Sequence, residues 1–426
     1  MYIKKLDVSN FRSIEHAEIS FSPLSLVVGA NASGKSNLIN VFRFIKDIIS
    51  EGIDNAIALQ GGTAYLANVR MPKGTPISIH FYLDLSNEQI FYGRNSKNYM
   101  TKPEEINYSF SILPNKRGSG YRIAEDHLII TWTVYSAKIL PKKGETRESL
   151  GIQYIDDYHK KNANSSYQYN SNIQGIDDQE IRNALKEDIM SSFFLQYANR
   201  NRNKLLLSRI EMILSPILSS SRFIRIFDFD PKELKKASSM TSMKMLSENG
   251  SNLASVLHEL LRKKESKERL TTLLRQYLPY VNGLSVESNV DKSFSYSINE
   301  QFSKRNFHAT FLSDGTVSVI ALIIALYFEE RSNIIILEEP ERNIHPKLLS
   351  ILLESAEDVS RKKQIIITTH NPEFLKHAKP ESVRLLSRNS EGNTVVTEPA
   401  NNAIVKTFLE NDLGLDDLFL QNMLGE

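Results

Sequence analysis

The segment Gly29-Ala-Asn-Ala-Ser-Gly-Lys-Ser36 fits the pattern G-x-x-x-x-G-K-[ST]. In such a loop backbone N–H groups wrap a phosphate chain, and the helix that follows directs its positive end at it. Gly29, Asn31, Ala32, Ser33, Gly34, Lys35 and Ser36, with Asn37 next to them, are therefore the candidate nucleotide-binding set. Lys35 would sit on the β- and γ-phosphates of ATP, and the Ser36 hydroxyl would face Mg²⁺, a hard cation that prefers oxygen ligands. Far downstream, the apolar run Ile334-Ile-Ile-Leu337 ends in Glu338-Glu339-Pro340-Glu341. A buried strand would thus deliver two adjacent carboxylates to the carboxyl edge of a sheet, where such folds bind ligands. In phosphoryl transfer one acid helps hold the metal and another orients the attacking water, so Glu338 suits Mg²⁺ and Glu339 the water. A second apolar run, Gln364-Ile-Ile-Ile-Thr-Thr369, ends in His370, whose imidazole could donate to a γ-phosphate oxygen or position water. Leu312-Ser-Asp-Gly-Thr316 precedes the apolar segment Val317 to Phe328 and offers hydroxyls, a glycine and free N–H groups, either as a second anion site or as a plain helix cap.

These residues need particular elements to hold them. Tyr2 to Val8 and Ile19 to Val28 read as strands, the second breaking at Gly29 into the loop and a helix over Lys35 to Ile49. Alternating segments at Ile77 to Leu85, Ile106 to Leu113 and Leu128 to Ser136 predict an antiparallel sheet. From about Pro141 the chain turns polar, and Asn162 to Gly175 reads as a mobile loop. Asp178 to Leu218 and Leu253 to Tyr277 have helical apolar spacing. A helix from Gly315, a strand at Asn333 to Leu337, a helix from Pro346 and a strand at Gln364 to Thr368 then alternate as a parallel α/β core does. Strands near Val383 to Leu386 and Thr394 to Thr397 precede a short helical tail. The expected division is a first lobe over 1–140, an inserted, mainly helical region over 141–290, and a second lobe over 291–426.

Composition narrows the setting. The chain has 426 residues, 41% hydrophobic and 24% charged, which is the profile of a soluble globular protein with room for a full core. Its longest apolar run, Val317 to Phe328, falls short of the ~18 residues of a membrane span, and the amino terminus carries no secretory pattern. With no cysteine, disulfides and thiolate metal sites are excluded, and the cytoplasm is the expected compartment. A net charge of +2 creates no general attraction to nucleic acid, although local basic patches can.

Phosphate loop, LSDGT, ILEEPE and TTHNPEFL occur in the order found in ABC-type AAA-family ATPases of the RecF and SMC kind, which this chain resembles at both ends. Asn10-Phe-Arg-Ser13 resembles the opening of those proteins. EEPERNIHP and TTHNPEFL look like the group that includes the overcoming-lysogenization-defect ATPases, and Leu246-Ser-Glu-Asn-Gly-Ser-Asn-Leu-Ala254 is similar to its pre-signature segment. The resemblance implies an α/β ABC-type ATPase head with a parallel core sheet, an antiparallel β lobe and an inserted helical arm. It makes the first loop a Walker A motif, Glu339 the catalytic glutamate after Walker B, and His370 the switch histidine. It also implies a dimer at minimum, with ATP between two heads, Ser313 and Gly315 acting on the neighbour's nucleotide, and Asn343 to Pro346 meeting the partner. Glu338 stands where many ABC ATPases have Asp, and Asp314 where transporters have Gly. No clear Q-loop emerges, Gln60 and Gln153 being the candidates.

Overcoming-lysogenization-defect nucleases carry a Toprim domain after the ATPase, whereas here the sequence ends at Glu426, 56 residues beyond His370. The leading expectation is therefore an ATPase subunit of a bacterial anti-phage, abortive-infection module. It would act as sensor and scaffold for a separate effector such as a nuclease. The alternative is a DNA-maintenance ATPase binding duplex DNA through Arg200, Arg202, Lys204 and Arg209, and through Arg262, Lys263, Lys264, Lys267 and Arg269. Membrane transport fits poorly, because EEPERNIHP points elsewhere.

Overall fold

A computed structural model describes residues 1–88, 92–93, 99–115, 120–136, 149–160, 168–174, 205–209, 223–240, 245–329, 332–402, 405 and 414–420. Two compact units form from interleaved segments. One holds Met1–Phe21, Ser36–Phe223 and Arg388–Val396, and the other Ser22–Lys35, Ile224–Ser387 and Thr397–Glu426.

The first unit is built on an antiparallel sheet of β1 (Tyr2–Phe11), β2 (Ile14–Ser20), β4 (Ile77–Asp84), β5 (Tyr92–Gly93), β6 (Tyr99–Pro114), β7 (Tyr121–Ser136), β8 (Ser149–Lys160) and β9 (Gln168–Gln174). The order is β2-β1-β4-β6-β7-β8-β9, with β5 on β6. Ile3, Leu6 and Val8 of β1 are buried, as are Ile77, Ile79, Phe81 and Leu83 of β4, so alternation turns one face into core. Helix α1 (Lys35–Glu51) supplies much of that core through Leu38, Ile39, Val41, Phe42, Ile45 and Ile48. Phe42 meets Phe21 edge-on at 5.6 Å, and Phe44 lies 6.0 Å from Phe11 and 6.4 Å from Phe110. At the β1–β2 turn, Asn10 and Arg12 take positive φ. Asn10 donates to the Thr75 carbonyl, and the Ser13 hydroxyl pairs with Thr394.

The second unit carries the parallel sheet, in the order β10 (Ile224–Phe227), β15 (Ile334–Glu338), β16 (Gln364–Thr369), β3 (Leu24–Val28) and β17 (Val383–Arg388). Both faces are covered, so its strands read as continuous apolar runs, and every residue of β16 is buried. The helix Asp314–Tyr327 is buried along its whole length from Thr316 to Leu326, which explains the absence of a polar face in its sequence. A small antiparallel sheet completes the unit, with β11 (Ser238–Ser239) and β12 (Val281–Ser288) flanking β13 (Ser293–Glu300), and β14 (Asn306–His308) also on β13.

Three local expectations change. Ile19 to Val28 is not one strand: β2 ends at Ser20 and β3 begins at Leu24, in different sheets. Pro23 has no N–H for a ladder, and the Ser25 hydroxyl folds back on Ser22 N at 3.0 Å, closing a turn. Gln168–Gln174, read as loop, is a strand paired with β8 from Gln153↔Gln174 to His159↔Gln168. Leu253 to Tyr277 divides into helices Leu253–Leu261 and Lys264–Tyr277, with Lys263 extended between them. The helix expected over 178–218 lies outside the described residues except for 205–209, where Leu206–Arg209 forms a short 3-10 turn.

Candidate functional site

The parallel sheet brings the separated motifs to one edge. Gly29 N donates to the Thr369 carbonyl at 3.3 Å and Glu339 N to the Thr368 carbonyl at 2.9 Å, so the ends of β3, β15 and β16 are stitched side by side. The phosphate loop is tightly wound: Ala32 and Gly34 take positive φ. A Cβ on Gly29 would lie 2.3 Å from the Leu386 carbonyl oxygen and 2.6 Å from Ser33 Oγ, which only glycine avoids. Lys35 is buried and donates to the carbonyls of Gly29 at 2.7 Å and Ala30 at 3.0 Å. Burial pushes its ammonium below the usual lysine range, although Glu339, Glu341 and Glu338 pull the other way.

Glu339 is the hub. It takes positive φ, rare for a non-glycine residue. Its Oε1 lies 4.0 Å from Lys35 Nζ and 3.3 Å from His370 Nδ1, and its Oε2 accepts from Arg342 Nε at 3.0 Å. Partial burial pushes its carboxyl up, but Arg342 and His370 outweigh that and hold it below the ordinary carboxylate value. Behind it, Glu341 is buried and accepts the Thr369 hydroxyl at 2.5 Å, and burial pushes its carboxyl up. Glu338 ends β15 opposite Thr368, half-buried. Ser36 is exposed at the start of α1.

The LSDGT turn caps its helix, the Ser313 hydroxyl accepting from Thr316 N at 3.1 Å. Ser313 and Asp314 are nonetheless exposed. Gly315 is required by its own chain: a Cβ there would lie 2.5 Å from the Asn343 carbonyl oxygen.

The chain has counterparts in sequence family and in fold. Residues 24–376 match the family described as AAA domain, putative AbiEii toxin, Type IV TA system. The chain belongs to this AAA-domain family. No curated protein matches the sequence. An Smc head crystallised with the C-winged helix domain of ScpA is similar at 14% identity and a TM-score of 0.53, over 93% of this chain and 97% of that one. An SMC head domain from Thermotoga maritima gives 15% identity and a TM-score of 0.45, covering 93% and 99% of the two chains. An Smc head with an extended coiled coil, bound to the C-terminal domain of ScpA and derived from Pyrococcus furiosus, gives 12% and 0.45, covering 97% and 100%. The fold is thus the α/β fold of the Smc head crystallised with the C-winged helix domain of ScpA.

Within this AAA-family head the sequence-derived residues separate into groups. Lys35, Glu339 and His370 meet, with Gly29 next to them in the backbone stitching. Asn37 faces elsewhere, its amide donating to Ser13 Oγ at 2.5 Å. Gln60 is buried and accepts from Arg12 Nη2 at 2.7 Å; Gln153 lies in β8. Arg342, Asp228 and Glu341 were not singled out by sequence reasoning. Their partners lie up to 114 positions away, and periodicity leaves no trace of such pairs. Of the basic clusters, 200–204 lie outside the described residues. In the second cluster Arg262 pairs with Glu259, Lys264 with Glu268, and Arg269 covers the rings of Tyr327 and Phe328. That is a mixed-charge face with Lys263 and Lys267 also exposed. Among the described residues no helix is long and apolar enough to cross a membrane.

Proposed function

We propose that the chain binds and hydrolyses ATP at the carboxyl edge of its parallel sheet. The observation that carries this is the meeting of Lys35, Glu339 and His370 beside a loop that only glycine can close at position 29. The loop suits a phosphate chain: Lys35 spends its N–H donors on its own loop carbonyls, a contact that phosphate oxygens would replace. Among the described residues no cluster of three or more acids or histidines is built to hold a metal. Mg²⁺ does not need one, because it is commonly held by a hydroxyl, one carboxylate and substrate phosphates, here Ser36 and Glu338. Bound there, Mg²⁺ would neutralise phosphate charge. The loop N–H groups of Gly29 to Ser36 and the Lys35 ammonium would orient the phosphate chain. Glu339, kept ionised by Arg342 and His370, would accept a proton from the attacking water, and His370 would donate toward the γ-phosphate.

Turnover tests this directly. The wild-type chain should hydrolyse ATP, Glu339→Gln should keep nucleotide but lose about 10²–10⁴-fold in kcat, and Lys35→Ala should lose binding. Parental hydrolysis by Glu339→Gln would remove the assignment.

We further infer a cytoplasmic ATPase subunit that senses and scaffolds in a bacterial anti-phage, abortive-infection module and controls a separate effector. The family description names a putative toxin of a type IV toxin–antitoxin system, a two-component arrangement that supports action with a second gene product. The motif likeness to overcoming-lysogenization-defect ATPases supports a nuclease as that effector. In this reading the chain has three parts, divided at about 140 and 290, the middle one corresponding to the variable arm of the resembled family. Co-purification of a neighbouring gene product with Glu339→Gln in ATP supports it; a chain indifferent to that product in ATP counts against it.

A further inference from the structure

One short segment reaches two motifs at once. β10 ends at Phe227, and the next residue, Asp228, accepts from Arg342 Nη1 at 2.9 Å while Arg342 Nε holds Glu339 at 3.0 Å. A single helical turn later, Lys235 Nζ donates to Asp314 Oδ1 at 2.5 Å, between Ser313 and Gly315. The segment is pinned from behind. Asp230 caps the turn Pro231–Leu234 by accepting from Lys232 N, and the N–H groups of Asp228 and Asp230 donate to the carbonyls of Glu248 and Asn249 at 3.0 and 3.3 Å. Gly250, at φ +78°, brings that loop so close that a Cβ would lie 2.1 Å from the Leu234 side chain. A second path closes the circuit: Gly315 packs on the carbonyl of Asn343, which directly follows Arg342 and itself takes positive φ.

We propose that Asp228–Lys235 is a coupling strap, and that Asp228, Lys235 and Arg342 are positioning residues that make the orientation of Glu339 depend on what occupies the LSDGT turn. The proposal rests on the ATPase reading above. Its chemistry is a competition: an anion arriving at the exposed turn, such as a nucleotide phosphate, contends with Asp314 for the Lys235 ammonium. Freed or held, Lys235 shifts the strap, and the shift reaches Glu339 through Asp228 and Arg342. Asp228 and Arg342 are 45% and 44% exposed, so their pair adds little to holding the fold and can rearrange readily. A carboxylate that orients water, by contrast, is sensitive to displacements of an ångström.

Steady-state ATP turnover by the full chain tests the strap, with Asp228→Asn, Lys235→Met and their double variant. Each single change should lower kcat about tenfold, with KM within about twofold and the thermal midpoint unmoved. Because both act through one strap, the double variant should be no slower than the slower single. Arg342→Lys should recover part of what Arg342→Gln loses. Wild-type kcat in either single, multiplying effects in the double, or losses that follow a lowered midpoint would overturn the strap while leaving a Glu339-dependent ATPase intact. A wild type that does not turn over ATP, or whose turnover is indifferent to Glu339→Gln, defeats the ATPase reading and the strap with it.

Discussion

Glu338, Glu339 and Glu341 lie within four residues where β15 ends, yet their surroundings give them different work. Glu339 is drawn toward ionisation by Arg342 and His370, whereas Glu341 is 7% exposed and burial raises its proton affinity. For Glu341 the folded-state value lies above the unfolded one, so the folded chain binds the proton more tightly. The contribution to stability is complete below the unfolded value, about 4.3, and is lost as pH rises through the raised folded value. Thermal midpoints measured from about pH 4 to pH 8 should therefore fall more steeply for wild type than for Glu341→Gln, which keeps an acceptor for Thr369 without a charge. Equal slopes would show that Glu341 ionises freely in the folded chain. Individual residues were legible in the sequence where a motif fixes both type and neighbours, as for Lys35, Glu339 and His370. Arg342 and Glu341 sit inside the same EEPERN string, but nothing in that string says that one reaches Asp228 and the other Thr369.

At the scale of elements, the parallel core was readable because its strands are unbroken apolar runs delivered straight to polar ends, Glu338 on β15 and His370 just past β16. The far end of the antiparallel sheet was not. β9 is an Asn-, Gln- and Ser-rich strand with no hydrophobic period, and only its partner β8 makes it a strand. Long-range stitching likewise defines the phosphate loop more tightly than its pattern suggests. Gly29 joins β3 to the loop under the carbonyl of Leu386, contributed by β17, so a methyl group at 2.3 Å cannot be accommodated without moving backbone. Gly29→Ala should therefore displace the loop and weaken ATP binding by at least about tenfold, at ~1.4 kcal/mol per decade. Equilibrium titration with a fluorescent ATP analogue checks this, and unaltered affinity would mean that the loop has slack at its first glycine.

For the whole molecule the question is whether one chain contains a complete site. Ser313 and Asp314 are exposed at the start of a helix that is buried from Thr316 to Leu326, and Phe311 just before them is 83% exposed, as is Phe302. If the two-headed arrangement that the motif resemblance implies holds, a two-fold pair would set each turn against the other's phosphate loop and create two sites. Glu339→Gln with ATP should then run as a dimer in light scattering, whereas Ser313→Arg should stay monomeric and still bind ATP. Mixing decides between the turn acting on its own chain and on its neighbour. A Lys35→Ala chain has an intact turn and a Ser313→Arg chain an intact loop, and each alone should be inactive. Together, a mixed pair still sets one intact turn against one intact loop, so the mixture should regain turnover that neither chain shows alone, and no more than about a quarter of the wild-type rate. A mixture as inactive as its components, with both chains folded, would place the LSDGT turn outside the neighbour's site and return Ser313 to the helix cap it already provides.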